Sequence, residues 1–183
     1  DLGPSPIVRR AYERNLDDYR QTYYRMHHDV DGPIDRVREA ATTGSDDAVL
    51  VFSADHGDML GERGMWFKQS FFEWSARIPL MISAPEKYAP KRVEGCASLV
   101  DLLPTLVALG GGEVTLPCDG ESLEPALNGG ATRDIVICDY SGIGPCVPHR
   151  MVRAGRLKLI YTHGHPDLLY DLENDPEERQ NLA

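Results

Sequence analysis

The 183-residue chain has no apolar run near the ~20 residues that a membrane helix needs, so no part of it reads as a span. No basic, apolar and small-residue series opens it, and no secretory signal is legible. Positive charge is scarce: 19 Lys and Arg stand against 29 Asp and Glu, for a net charge of −10. Binding a polyanion needs clustered cations, so neither nucleic acid nor a membrane is an expected partner. Only four cysteines occur, Cys96, Cys118, Cys138 and Cys146, and none forms a C-x-x-C pair. The spacing argues against structural zinc and the number against a disulfide scaffold. Free thiols in a reducing compartment are expected, and with them a cytoplasmic location. Repeats and low-complexity tracts are also missing. What remains, 42% hydrophobic and 26% charged residues, is the composition of an ordinary globular domain.

The segments alternate in type. After a proline-containing opening "DLGPSP", Tyr12, Leu16, Tyr19, Tyr23 and Met26 recur at three and four residues and predict a helix. Gly32-Pro33 predicts a kink or break in it, because proline lacks the amide donor and clashes one turn back. "AVLVFSA" at 48–54 and "IPLMISAP" at 78–85 are continuous apolar runs, which predicts parallel strands buried on both faces. "SLVDLLPTLVALGG" predicts a helix ending at glycine. From about residue 130, "DIVICDY", "RMVRAGRLKLIYT" and "LLYDL" predict short antiparallel strands, with Ala154-Gly155 as a hairpin turn. "DPEERQNLA" predicts a closing helix capped by Asp175, with Pro176 in its first turn. The fold class is α/β, with a main part over 1–130 and a small antiparallel subdomain over 131–183.

The first strand runs into Asp55-His56-Gly57-Asp58. Ligands of α/β sheets bind beyond the carboxyl ends of strands. Consecutive strand residues point to opposite faces, so both side chains reach one ion only if the chain turns here, and Gly57 permits the turn. A carboxylate and an imidazole together suit Zn, Mn or Mg better than an all-oxygen calcium cage.

The continuation, "SADHGDMLGERGMWFKQSFFEWSARIPLMISAP", resembles the type I sulfatases of the alkaline-phosphatase superfamily, in their choline-sulfatase-like branch. "SLVDLLPTL", "RMVRAGRLKLIY" and "LLYDLENDPEERQNLA" resemble later parts of the same family. The resemblance implies the C-terminal part of an alkaline-phosphatase-like sandwich. It makes Asp55 and His56 two ligands of one divalent metal (Ca, Mg or Mn), and makes Lys68 the lysine that contacts the sulfate of a small ester. A cation there stabilises charge on the leaving oxygen. Glu73 and Arg77 are expected to brace the loop by pairing. His27 and His28 are expected at the helix surface. Trp74, Gly32-Pro33 and Asp35 depart from the family pattern.

The family's nucleophile is a formylglycine made from the cysteine of C-x-P-x-R at a helix N-terminus, upstream of the Asp-His strand. Cys146-Val147-Pro148-His149-Arg150 has that spelling but runs into strand-like sequence, so Cys146 is expected to remain a thiol. The nucleophile half is therefore expected outside this chain, leaving the chain alone inactive. The reading is a sulfuric-ester hydrolase. The alternatives are a phosphonate or phosphate monoester hydrolase of the same superfamily, or a non-catalytic truncated interaction module. An uncovered sheet edge further leads to an expected homo-oligomer.

Overall fold

The computed structural model describes residues 6–45, 47–142 and 147–183, with side chains from residue 13 onward. The opening residues 1–5, Cys146 and the Tyr12 side chain thus lie outside the described residues.

Helix α1 (Pro6–Gly44) is one uninterrupted element with Pro33 inside it, so of the kink or break expected at Gly32-Pro33 the break does not occur. Residues 24–40 are exposed on every side, so the carbonyl that Pro33 leaves unbonded is free to be hydrated. The docked part is nearer the start. Leu16, Arg20 and Tyr23 are half-buried, whereas Tyr19 and Met26, expected on the same stripe, are 44% and 63% exposed.

Strand β1 (Leu50–Ser53) pairs with β4 (Leu80–Ser83), and the pairing is antiparallel, Leu50 with Ser83 through Ser53 with Leu80. This corrects the parallel expectation. An apolar run records burial on its faces, not the direction of its neighbour, and Phe52 and Met81 are themselves 38% and 59% exposed. Between these strands lies a ribbon of β2 (Met59–Leu60) and β3 (Trp66–Phe67), then the one-turn helix α2 (Glu73–Ala76). The ribbon's turn is closed by Gly61, Arg63 and Gly64, all at positive φ.

The predicted helix at 98–111 forms as a 3₁₀ turn (Leu99–Asp101) running into α3 (Leu102–Leu109). A capping box between Ser98 and Asp101 opens it, and it stops at Gly110. Asp101 is fully buried; it pairs with Arg133 and accepts the backbone N–H groups of Ser98 (2.8 Å) and Glu121 (2.9 Å). A short helix α4 (Glu124–Leu127) follows.

Strands β5 (Ile135–Tyr140), β6 (His149–Ala154), β7 (Leu157–Thr162) and β8 (Leu168–Asp171) form the antiparallel sheet expected, in that order. Gly155, at φ 55, makes the predicted hairpin turn. One face carries the core of Met151, Ile160 and Tyr170, against which Phe71 and Phe72 pack. The expected closing helix is not formed; residues 172–183 are turns and extended chain. Asp175 caps a turn instead, accepting the Gln180 N–H at 2.8 Å, and Asn181 Oδ1 accepts the Leu169 N–H at 2.9 Å. Bonds back to the sheet displace the helical ladder that Pro176 would have begun.

Candidate functional site

Asp55 and His56 follow β1, as expected, and their side chains converge. His56 Nε2 stands 3.3 Å from Asp55 Oδ2. The other ring nitrogen, Nδ1, is 2.8 Å from the Gly57 carbonyl. A carbonyl only accepts, so this contact calls for an N–H at Nδ1, while Nε2 faces the carboxylate. The Asp55 side chain is 84% exposed and that of His56 is 29% exposed, so the pair is open. Asp55 Oδ1 also accepts the His56 N–H at 3.0 Å, which fixes the carboxylate.

Gly57 serves a different purpose from the one its sequence position suggested. Its φ is not positive. A Cβ there would stand 2.1 Å from the Trp74 carbonyl oxygen, so the residue is glycine because backbone passes against backbone. The Gly57 N–H donates to the Ser75 carbonyl at 2.8 Å, stitching the Asp-His loop to α2.

Lys68 directly follows β3 and is exposed. Its carbonyl accepts Ser75 Oγ at 2.7 Å and the Ser70 N–H at 2.8 Å. The residue before it, Phe67, sits at φ 67 and is 57% exposed. Met59 pairs with Phe67 at the end of the ribbon, so Asp58 enters β2 at the end where Lys68 leaves β3. The structure therefore brings the Asp55–His56 loop and the Lys68 loop to one end of one ribbon.

Helix α1 backs this ribbon. Arg20 Nε donates to the Leu60 carbonyl at 2.7 Å, and Tyr19 meets Trp66 edge-on with ring centres 4.9 Å apart. Asp58 faces Tyr23; burial, then the charge of Asp58 and a hydrogen bond to it, raise the Tyr23 phenol above its ordinary pKa. His27 stacks on Tyr23 and His28 is exposed, as the surface expectation held.

Glu73 braces the loop as expected, through partners the sequence did not reveal. Lys158, fully buried, reaches Glu73 Oε1 at 2.8 Å and Glu178 Oε1 at 2.8 Å as an ion pair. Glu178 Oε2 accepts the Glu73 N–H at 2.8 Å. Arg77 is exposed and forms no ion pair among the described residues. Ser75, Lys158 and Glu178 were missed. Ser75 lies in the quoted stretch, but its role runs through its own main chain and a partner's carbonyl, for which sequence carries no signal. Lys158 faces inward on β7 while Leu157 and Leu159 face out, the reverse of what the Leu-Lys-Leu alternation signals.

As a donor set, a carboxylate oxygen and an imidazole nitrogen 3.3 Å apart fit adjacent positions on one ion with bonds of ~2.0–2.6 Å. No cluster of three or more His, Cys, Asp or Glu able to hold a metal occurs among the described residues. The thiols of Cys96, Cys118 and Cys138 are free. No helix of the described residues is long and apolar enough to cross a membrane.

The fold is that of the alkaline-phosphatase superfamily. The chain belongs to the sulfatase family, whose model matches residues 6–112. A second model, "N-sulphoglucosamine sulphohydrolase, C-terminal", matches residues 61–183. The choline-sulfatase of Rhizobium meliloti (strain 1021) is 39% identical over 176 residues, 93% of this chain and 34% of the relative. The phosphonate monoester hydrolase of Agrobacterium radiobacter superposes with a TM-score of 0.78 at 32% identity, over 92% of this chain and 38% of that one. A protein solved with its substrate D-glucosamine-2-N,6-O-disulfate superposes with a TM-score of 0.74 at 29% identity, over 84% of this chain and 34% of that one. The chain thus spans about a third of the length of the relatives it matches.

Proposed function

We propose that this chain is the part of a choline-sulfatase-like sulfuric-ester hydrolase that supplies two metal ligands, Asp55 and His56, and a sulfate-binding cation, Lys68. The observation that carries the reading is the His56 geometry: Nδ1 engaged by the Gly57 carbonyl at 2.8 Å, Nε2 held 3.3 Å from Asp55 Oδ2. An imidazole oriented through Nδ1, with Nε2 beside a carboxylate oxygen, is half of a site for a divalent cation. The remaining ligands and the formylglycine nucleophile would come from protein outside this chain. A divalent ion bound there supplies positive charge against the ester's oxygens. Asp55 and His56 contribute the two donor atoms and their fixed spacing. Lys68 contributes an ammonium for the oxygen on which charge develops as the ester bond breaks. A net charge of −10 suits a small ester better than a polyanionic chain.

The test is hydrolysis by the full-length gene product. Choline sulfate and aryl sulfates should release inorganic sulfate, measured by ion chromatography, in a reaction abolished by chelation. A second reading, phosphonate or phosphate monoester hydrolysis, is favoured by the superposition on the phosphonate monoester hydrolase. Turnover of phosphonate monoesters with no sulfate release would decide for it.

A further inference from the structure

Three charged side chains make the proposed site, and they lie on two loops that leave the Met59–Phe67 end of one short ribbon. Beyond that pairing, one residue of α2 bonds to both loops. Ser75 is 3% exposed and every polar atom it has is engaged. Its carbonyl accepts the Gly57 N–H at 2.8 Å, directly behind His56. Its Oγ donates to the Lys68 carbonyl at 2.7 Å. Its own N–H donates to the Phe72 carbonyl at 2.9 Å, which ties it to the segment packed on the C-terminal sheet.

The Lys68 side needs such a tie. Phe67 occupies the left-handed region, a costly conformation for a bulky residue that persists only when its surroundings over-determine it. The ribbon offers little: β2 and β3 are two residues each, and Phe67 is in the last pair. Ser70 N–H and Ser75 Oγ both converge on the carbonyl just past it. The Ser70 bond is local to the turn, so Ser75 Oγ is the contact that links this turn to the Asp-His loop.

We propose that Ser75 is a positioning residue: its hydroxyl fixes the Lys68 loop against the Asp55–His56 loop and so sets where the Lys68 ammonium stands relative to the metal-ligand pair. This rests on the functional reading given above for Lys68. Ser75 acts through Lys68 and does not itself touch the substrate. Its two tasks are separable, because the Gly57 bond uses the main chain and survives side-chain substitution, whereas the Lys68 bond does not.

The experiment compares full-length wild type, Ser75→Ala, Lys68→Ala and the double variant, with Ser75→Cys as a near-isosteric variant should the alanine fold poorly. Amide hydrogen exchange should quicken over 66–70 in Ser75→Ala and stay slow at 55–58. Metal content should be unchanged, and kcat for a sulfate ester should fall about 10- to 100-fold, the range for a residue that orients a catalytic group. In the Lys68→Ala background, removing the Ser75 hydroxyl should add nothing further. The proposal is overturned if exchange over 66–70 does not change, if the two losses multiply, or if melting temperature falls while kcat holds. Wild type inactive on every sulfate and phosphonate ester would sink the functional reading instead, and the exchange result would still decide whether Ser75 joins the loops.

Discussion

The chain holds its charges in two opposite ways. At the ends of β1 and β3, the Asp55 side chain is 84% exposed and steadied by the His56 N–H, and Lys68 is exposed and held through its own carbonyl. In the C-terminal sheet Lys158 is fully buried between Glu73 and Glu178, with Arg153 3.7 Å from the second oxygen of Glu73. Buried charges must be neutralised by partners, so the second group is consumed by structure. The first group keeps its charges available for something that arrives. Helix α2 belongs to both: Glu73 points into the buried network, and Ser75, two residues on, holds both open loops. The rigid sheet is therefore the support on which the open loops are aimed.

This comparison can be broken or sharpened by substitution. The largest effect is expected in the open region. Asp55→Ala or His56→Ala should lower turnover by the full-length protein about 10³-fold or more, several kcal/mol of lost charge stabilisation, with little change in its melting temperature. Lys158→Met should do the reverse. It strands Glu73 and Glu178 in the interior and should cost about 3–5 kcal/mol in chemical denaturation, much of it recovered when both glutamates become glutamine. Equal stability of Lys158→Met and wild type would mean the buried network is not what anchors α2. Gly57→Ala tests the seam between the regions. Its Cβ would meet the Trp74 carbonyl, and a displacement near 1 Å at the Asp-His loop should cost about 10²-fold in rate.

The smallest effect concerns pH. Backbone N–H groups of Gln180 and Arg179 hold the Asp175 carboxyl below its ordinary pKa, and a hydrogen bond from Asn174 does the same for Asp171. A depressed carboxylate stabilises the fold above its unfolded value, and the contribution fades as pH falls through the lowered native value. Amides of residues 178–182 should accordingly hold their protection from neutral pH down to about 4 and lose it only below. Loss of protection at pH 5 to 6 would show that other groups control this turn.

The open region was the more legible of the two. A buried-looking run ending in Asp55-His56, followed by the aromatic-flanked Lys68, was visible as a pattern because these residues stand close together in the sequence. The sheet's strands were equally plain, as short strand-like runs with Ala154-Gly155 between two of them. What could not be read were relations between distant main-chain atoms. The antiparallel pairing of β1 with β4 is set by the route of 26 intervening positions, and an apolar run is silent on it. Pro33 breaks a helix only where its lost bond cannot be hydrated, and exposure of 24–40 was not legible. The closing segment met helix rules locally, but the Leu169 N–H donating to Asn181 Oδ1 and the Leu182 N–H donating to the Leu169 carbonyl outcompeted them. Gly57 was noticed for the right position and the wrong reason, because a backbone carbonyl 17 residues away is what excludes a side chain.

The claim on which the rest depends is that Asp55 and His56 share one divalent ion. Elemental analysis of the purified full-length protein tests it directly, wild type beside His56→Ala and Asp55→Ala, each dialysed against buffer freed of metals. The account predicts about one equivalent of a divalent metal in wild type and a small fraction of that in both variants, with folding intact. A full equivalent retained in both variants would contradict it.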